Sequence, residues 1–241
     1  MATVILVAGA WHGSWCWDAV APLLRAAGHE VLTPDLPGTG SKFSPEADVS
    51  FDDWSNFLAD LIVNCEERPY VVGHSRGGIV ISQAAELVPE AISELVYLSA
   101  ALLPAGTVPI DGLLERMPGK PTISQLPKHL PPVPYEDVRQ TAFNDCSEED
   151  ARSAYARLTP EPVKPLTQAL NLSEERFGSV PRTYIECLND NAVTLEAQRA
   201  MQALAPCQRT LALASGHSPF LSMPEELAEA LVEIVAKPLR A

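Results

Sequence analysis

Gly73-His74-Ser75-Arg76-Gly77-Gly78 places a serine hydroxyl at Gly-x-Ser-x-Gly spacing, directly after the apolar run Tyr70 to Val72 and directly before the helical run Ile79 to Leu87. A serine on such a strand-to-helix turn sits on strained backbone with its oxygen exposed, and the flanking glycines remove Cβ atoms that would collide there. The turn also lies at a helix N-terminus, where free N–H groups favour developing negative charge. Those are the requirements of a nucleophile. A serine further needs a base to take its proton and a third group to orient that base. Reactive groups collect at the carboxyl ends of the strands in open parallel sheets. His217 stands at such a point, in Ala214-Ser215-Gly216-His217 after the run Arg209 to Leu213, and so does Asp190, in Leu188-Asn189-Asp190 after Arg182 to Cys187. Asp35 is a rival acid, since it follows Val31-Leu32-Thr33, but its Pro34-Asp35-Leu36-Pro37-Gly38 setting has a turn explanation. His12 and His74 lie beside the serine region and are expected to hold loop backbone, while His29 and His129 read as surface residues.

Stepwise along the chain, these groups need a sheet to carry them. Thr3 to Val7, Val31 to Thr33, Tyr70 to Val72, Leu95 to Ser99, Arg182 to Cys187 and Arg209 to Leu213 read as six buried strands. Helical runs lie between or behind them: Trp15 to Ala27, a run opened by a capping box at Ser50-Phe51-Asp52-Asp53 and continuing through Val63, Thr194 to Leu204, and Glu225 to Val235. Strands alternating with helices predict an α/β fold, a mainly parallel six-stranded sheet with helices on both faces. The chain order Ser75, Asp190, His217 is that of α/β-hydrolases and favours Asp190 over Asp35 as the acid. The backbone N–H of Arg76 and, from the loop after the first strand, of Ala10 are the expected oxyanion donors. From about Leu102 to Pro181 the alternation stops, and eleven of the 22 prolines fall between Pro104 and Pro165. Proline removes N–H donors, so this segment is not expected to form sheet; it reads as an inserted helical cap (102–181) on a core of 1–101 and 182–241. The cap is expected to govern substrate size rather than chemistry.

The 241 residues, 46% of them apolar, suffice for one sizeable core. A net charge of −14 argues against nucleic acid or anionic membrane as partner. Five cysteines without C-x-x-C spacing indicate neither a disulfide framework nor a zinc site. With no leader-like or spanning segment, the chain is expected in the cytoplasm, as a monomer or homodimer.

Val7-Ala8-Gly9-Ala10-Trp11-His12-Gly13-Ser14-Trp15-Cys16-Trp17, the serine motif, Cys187-Leu188-Asn189-Asp190 with Gln198-Arg199-Ala200-Met201, and Gly216-His217 resemble the small α/β-hydrolases that include plant methyl esterases, hydroxynitrile lyases and bacterial pyrethroid-hydrolysing carboxylesterases. Pro181 to Glu186 and Ser222-Met223-Pro224-Glu225 are most similar to the bacterial carboxylesterases. The resemblance implies a triad of Ser75, Asp190 and His217 and a hydrophobic ester pocket under the cap. Trp11, Trp15, Leu103, Met117, Phe143, Tyr155 and Phe220 are candidate walls, with plain packing the equal alternative for those in the cap. The family's usual His-Gly after the first strand is Ala8-Gly9 here, and Arg76 stands where an apolar residue is common. Arg76 is expected on a solvated helix face, pointing away into an ion pair. The reading is a serine carboxylesterase, whose expected partner is a small-molecule ester and which needs no metal or cofactor. A lactonase on the same machinery, a hydroxynitrile lyase and a non-catalytic ligand receptor are the alternatives. Lyases of this resemblance carry a threonine beside the oxyanion loop and a lysine after the histidine, where this chain has Gly9 and Ser218.

Overall fold

Thr3–Val7 (β1) carries apolar residues on both of its sides, so it is stable only where both faces of a sheet are covered. In the computed structural model, which describes residues 1–117 and 119–239, β1 lies inside a six-stranded parallel sheet. The order is β2 (Glu30–Leu32), β1, β3 (Tyr70–His74), β4 (Glu94–Leu98), β7 (Arg182–Cys187) and β8 (Arg209–Leu213). Side chains of a strand alternate between faces. Ile5 and Val7 accordingly join the core formed with α2 (Phe51–Val63) and α3 (Gly77–Leu87), while Val4 and Leu6 join the core formed with α1 (Val20–Ala26), the one-turn α8 (Pro219–Ser222) and α9 (Pro224–Ala236). α7 (Leu195–Leu204) presents Met201 to the first of these cores.

Local signals set the element ends. Ser50 Oγ accepts from Asp53 N at 3.2 Å and the Asp53 carboxylate accepts from Ser50 N at 2.7 Å, the expected capping box, and loss of such a cap costs about 1 kcal/mol. The run expected as one helix from Trp15 to Ala27 is instead a 3₁₀ turn, Ser14–Trp17, followed by α1, with Asp18 closing the turn.

Between β4 and β7 lie α4 (Pro109–Arg116), α5 (Tyr135–Thr141) and α6 (Glu148–Tyr155). The expectation that this segment contains no sheet is corrected: β5 (His129–Leu130) pairs antiparallel with β6 (Glu161–Pro162). A ribbon of two residues per strand asks for few ladder donors, so it accommodates a proline at its end. Residues of this segment, among them Ile110, Leu130 and Leu166, continue the α2–α3 core over the carboxyl edge of the sheet.

The register aligns the strand ends that matter. Val7 pairs with Gly73, Gly73 with Tyr97, Leu98 with Ile185 and Cys187 with Leu213. The loops after β1, β3, β4, β7 and β8 therefore leave the sheet side by side along one edge.

Candidate active site

Ser75 follows β3 with φ 51°, a left-handed backbone that is uncommon outside glycine. The turn is tight: a Cβ on Gly73 would come within 2.9 Å of the Gly77 backbone. Ser75 O accepts from Gly78 N at 3.1 Å and from Ala101 N at 2.9 Å, which ties the turn to α3 and to the loop after β4.

Asp190 and His217 meet at the ends of β7 and β8. His217 Nδ1 lies 2.6 Å from Asp190 Oδ2, with both side chains buried. A carboxylate only accepts, so Nδ1 carries the proton and Nε2 is left as a proton acceptor, a tautomer assigned from the hydrogen-bond network. The same Oδ2 accepts from Ser99 Oγ at 2.5 Å, and Oδ1 accepts from Ala192 N at 2.7 Å and Val193 N at 2.8 Å. Burial pushes the Asp190 pKa up, but the bonds from His217, Ser99 and Val193 outweigh it and hold the carboxyl below its ordinary value. Ser99 sits at the end of β4 with φ 39°. Gln198, on α7, accepts from Cys187 N at 3.0 Å and donates to Cys187 O and Val193 O, fixing the loop that carries Asp190.

His74 and His12 do hold loop backbone. His74 Nε2 donates to His217 O at 2.8 Å, and the two rings lie 4.6 Å apart; His12 Nδ1 donates to Ala10 O at 2.8 Å. Both rings are buried. Desolvation lowers the His12 pKa to about 4 and takes that of His74 well below the ordinary value, so both are neutral at pH 7. Asp35 is occupied elsewhere, accepting from Ser14 N at 2.5 Å, Ser41 N at 2.9 Å and Ser41 Oγ at 2.6 Å, which ties its own turn to the start of the 3₁₀ turn after β1.

The expectation for Arg76 needs correction. It is only 8% exposed, and its guanidinium stays inside. Nη2 donates to Gly9 O at 3.0 Å, the group stacks over Trp54 at 4.5 Å, and Nε lies 2.8 Å from Glu161 Oε1 as a charge contact without hydrogen-bond alignment. Glu161 belongs to β6, so the ion pair is real but buried, between the serine turn and the insert. The insert covers the helix end that would otherwise be solvated.

A cavity of about 680 Å³ opens onto Ser75, Ala10, Trp11 and Arg76, with walls that include Leu103, Val108, Leu113, Leu166 and Met201. Of the candidate wall residues, Trp11 and Leu103 are there. Phe220 instead packs fully buried on His12, His74 and Trp17. Phe143 is the centre of a small core with Val138, Cys146 and Ala154, and Trp15 stacks on His12 at its edge. Tyr155 donates to Val133 O at 3.1 Å and meets Tyr135, and Met117 closes α4 against the main core. Phe143 and Tyr155 pack in the insert's own small core, while Phe220 and Met117 pack on the two cores of the sheet. A second cleft, about 540 Å³, lies at the opposite edge between Arg68, Glu90, Glu175 and Arg176 and contains none of the groups above.

Ser99, Glu161 and Asp145, whose Oδ2 accepts from Gly216 N at 2.6 Å, are not picked out by motif reasoning, whereas Gln198 lies in a segment that carries the family resemblance. Among the three, Ser99 carries a usable signal, a polar residue ending a buried strand beside the strand that leads to Ser75.

A serine on a left-handed strand-to-helix turn and a buried Asp–His pair at the ends of the two strands beyond it define an α/β-hydrolase. Residues 4–230 match the Alpha/beta hydrolase family. The chain is 32% identical to a pyrethroid hydrolase of Sphingobium wenxiniae, over 98% of this chain and 88% of that protein. It is 30% identical to a putative chloroplastic methylesterase 13 of Arabidopsis thaliana, over 98% of this chain and 56% of that protein. Among solved structures it is similar to a pyrethroid hydrolase from Sphingobium faniae JZ-2, with a TM-score of 0.82 and 30% identity over 98% of both chains. It is also similar to polyneuridine aldehyde esterase, with a TM-score of 0.84 and 27% identity over 98% of this chain and 99% of that one. The chain belongs to the Alpha/beta hydrolase family and is a hydrolase. The resemblance read from its motifs stands. No helix among the described residues is long and apolar enough to cross a membrane.

Proposed function

We propose that the chain is a serine carboxylesterase acting on hydrophobic small-molecule esters, with residues 102–181 as a cap over the site. The observation that carries this reading is the buried His217–Asp190 pair at 2.6 Å, bonded through His217 O to His74, the residue that precedes a serine on strained backbone facing a largely apolar cavity. Ser75 Oγ attacks the ester carbonyl carbon while its proton passes to His217 Nε2, and the carbonyl π electrons move onto oxygen. Ala10 N–H and Arg76 N–H donate to that oxyanion. Collapse re-forms the carbonyl, expels the alkoxide, which takes the proton from His217, and leaves an acyl group on Ser75. Water then gives its proton to His217, attacks the acyl carbon through a second oxyanion, and releases the carboxylic acid as the proton returns to Ser75. Asp190 holds the imidazole in the required tautomer and stabilises the imidazolium. Kinship with proteins named as a pyrethroid hydrolase and a methylesterase supports ester rather than amide substrates.

The test is covalent labelling. A fluorophosphonate is expected to modify Ser75 in the wild-type protein, and Ser75→Ala is expected to lose both the label and the turnover of p-nitrophenyl butyrate. Retained ester turnover in Ser75→Ala would overturn the reading.

A further inference from the structure

The oxyanion loop of this chain is held by side chains that a backbone hole does not require. In a trans peptide the C=O and the following N–H point in opposite directions. Whatever grips Gly9 O therefore also fixes the direction of Ala10 N–H. Arg76 Nη2 grips it, at 3.0 Å. The approach is close, since a Cβ on Gly9 would lie 2.9 Å from Ser75 Cβ, and Ala10 lines the cavity with Ser75. The next residue is fixed as well. Trp11 has φ 62°, a conformation that a bulky residue keeps only when its surroundings over-determine it. Its N–H donates to Glu161 Oε2 at 3.0 Å, its O accepts from Thr159 N at 2.9 Å, and its indole donates to Leu130 O at 3.1 Å. Glu161 thus joins both grips, one oxygen on Trp11 N and the other against Arg76 Nε.

From this geometry we propose that the Arg76 side chain, held by Glu161, is a positioning group that aims Ala10 N–H into the oxyanion hole. The proposal rests on the serine-esterase reading above. Arg76 then serves twice: its own N–H is one donor and its side chain sets the direction of the other. The pair is internally neutralised, so it adds no net charge to the pocket. An apolar residue after the nucleophile could not grip Gly9 O at all.

The test uses the full chain with Arg76→Met/Glu161→Gln as the principal variant. The double change leaves no lone buried charge and keeps an acceptor for Trp11 N, but removes the donor to Gly9 O. Arg76→Lys, which retains a donor, is the conservative comparison. Three quantities are read: kcat and KM for p-nitrophenyl butyrate, the inhibition constant of an alkyl trifluoromethyl ketone that forms a tetrahedral oxyanion on serine, and that of the matching secondary alcohol, which forms none. Loss of one oxyanion donor lowers kcat by about 10² to 10³, and a misaimed donor is expected to reach at least the lower end. The double variant should therefore lose roughly 10²-fold in kcat and in ketone affinity, with KM and alcohol affinity changed by no more than about threefold. Arg76→Lys should recover part of both losses. Equal weakening of ketone and alcohol would mean a general loosening of the pocket and would overturn the proposal, as would an unchanged kcat. Should the double variant not fold, the ketone-to-alcohol ratio in Arg76→Lys and Glu161→Gln decides in the same way. Phosphonate labelling of the wild type separates the two levels. A labelled wild type with an unmoved ratio defeats this proposal alone, and an unlabelled wild type defeats the esterase reading with it.

Discussion

Acid should unfold this protein through two histidines before it reaches the carboxylates. His12 and His74 are buried and neutral, and desolvation lowers the His12 pKa from the ordinary 6.5 to about 4. Between those two values the unfolded chain binds a proton at His12 that the native state refuses. Stability must therefore rise with pH across that window and fall as pH falls through it. The difference amounts to about 3 kcal/mol at roughly 1.4 kcal/mol per unit, for His12 alone. His74 shifts in the same direction and adds to it. Asp190 acts in a different range: its folded pKa is depressed, so its contribution is complete above the ordinary carboxylate value of 3.8 and is lost only as pH falls from there through the folded value. Against a typical total of about 5 to 15 kcal/mol, the histidine share is large. Urea unfolding at pH 7.5, 6.5, 5.5 and 4.5 measures it. The unfolding free energy should be level at the upper end and drop below pH 6.5, and His12→Gln, which cannot titrate there, should show a drop smaller by about 3 kcal/mol. A level stability down to pH 4.5, or an identical drop in the variant, would refute the reasoning.

Asp190→Asn should lower kcat by as much as about 10⁴, because an amide nitrogen facing His217 Nδ1 favours the wrong tautomer; steady-state kinetics check this, with Asp35→Asn expected to affect loop stability and leave kcat nearly intact. Leu103→Ala or Met201→Ala, which enlarge the cavity wall, should shift preference toward bulkier esters in a competition assay. Phe143→Ala should instead cost about 3 to 5 kcal/mol in thermal or urea unfolding, because its ring is fully buried in a core away from that wall. Mandelonitrile should release no cyanide above background, since the Ser218 hydroxyl stands after His217 and offers no positive charge to a departing anion in a dry site; an electrode reading of cyanide release without ester turnover would contradict the esterase proposal.

Much of this architecture could be read from the chain because it is local. Thr3–Val7, Arg182–Cys187 and Arg209–Leu213 are β-branched or apolar runs bounded by breakers, and they form strands over those same residues. The serine turn and the Ser50 cap are likewise set by neighbours in sequence. The insert resisted reading for the opposite reason. Its prolines argue against a ladder, yet His129 and Leu130 find Pro162 and Glu161 some thirty residues away. Its aromatic residues read equally as wall or as packing, and it takes the fold to show that Phe143 fills a core of its own. Arg76 was misread because composition places an arginine at the surface, and only the fold brings a buried carboxylate to it.

The insert's bonds reach beyond the cavity wall. A wall that only sized the substrate would need apolar contacts with the cavity. Here Asp145 accepts from Gly216 N, next to His217, Asn144 donates to Asn189 O and Gln140 O accepts from Asn191, on either side of Asp190. At the other end of the site, Glu161, Thr159 and Leu130 hold Trp11, and Glu161 faces Arg76. The loops carrying His217 and Asp190 are thus clasped by one part of the insert and the loop after β1 by another. Under the esterase proposal, each clasp removes freedom from a loop whose placement to within about half an ångström would govern rate. Under the same proposal the segment would act on the chemistry as well as on substrate size. A change that loosened the insert would move the loops carrying the reacting groups along with the wall, and kcat and selectivity would change together.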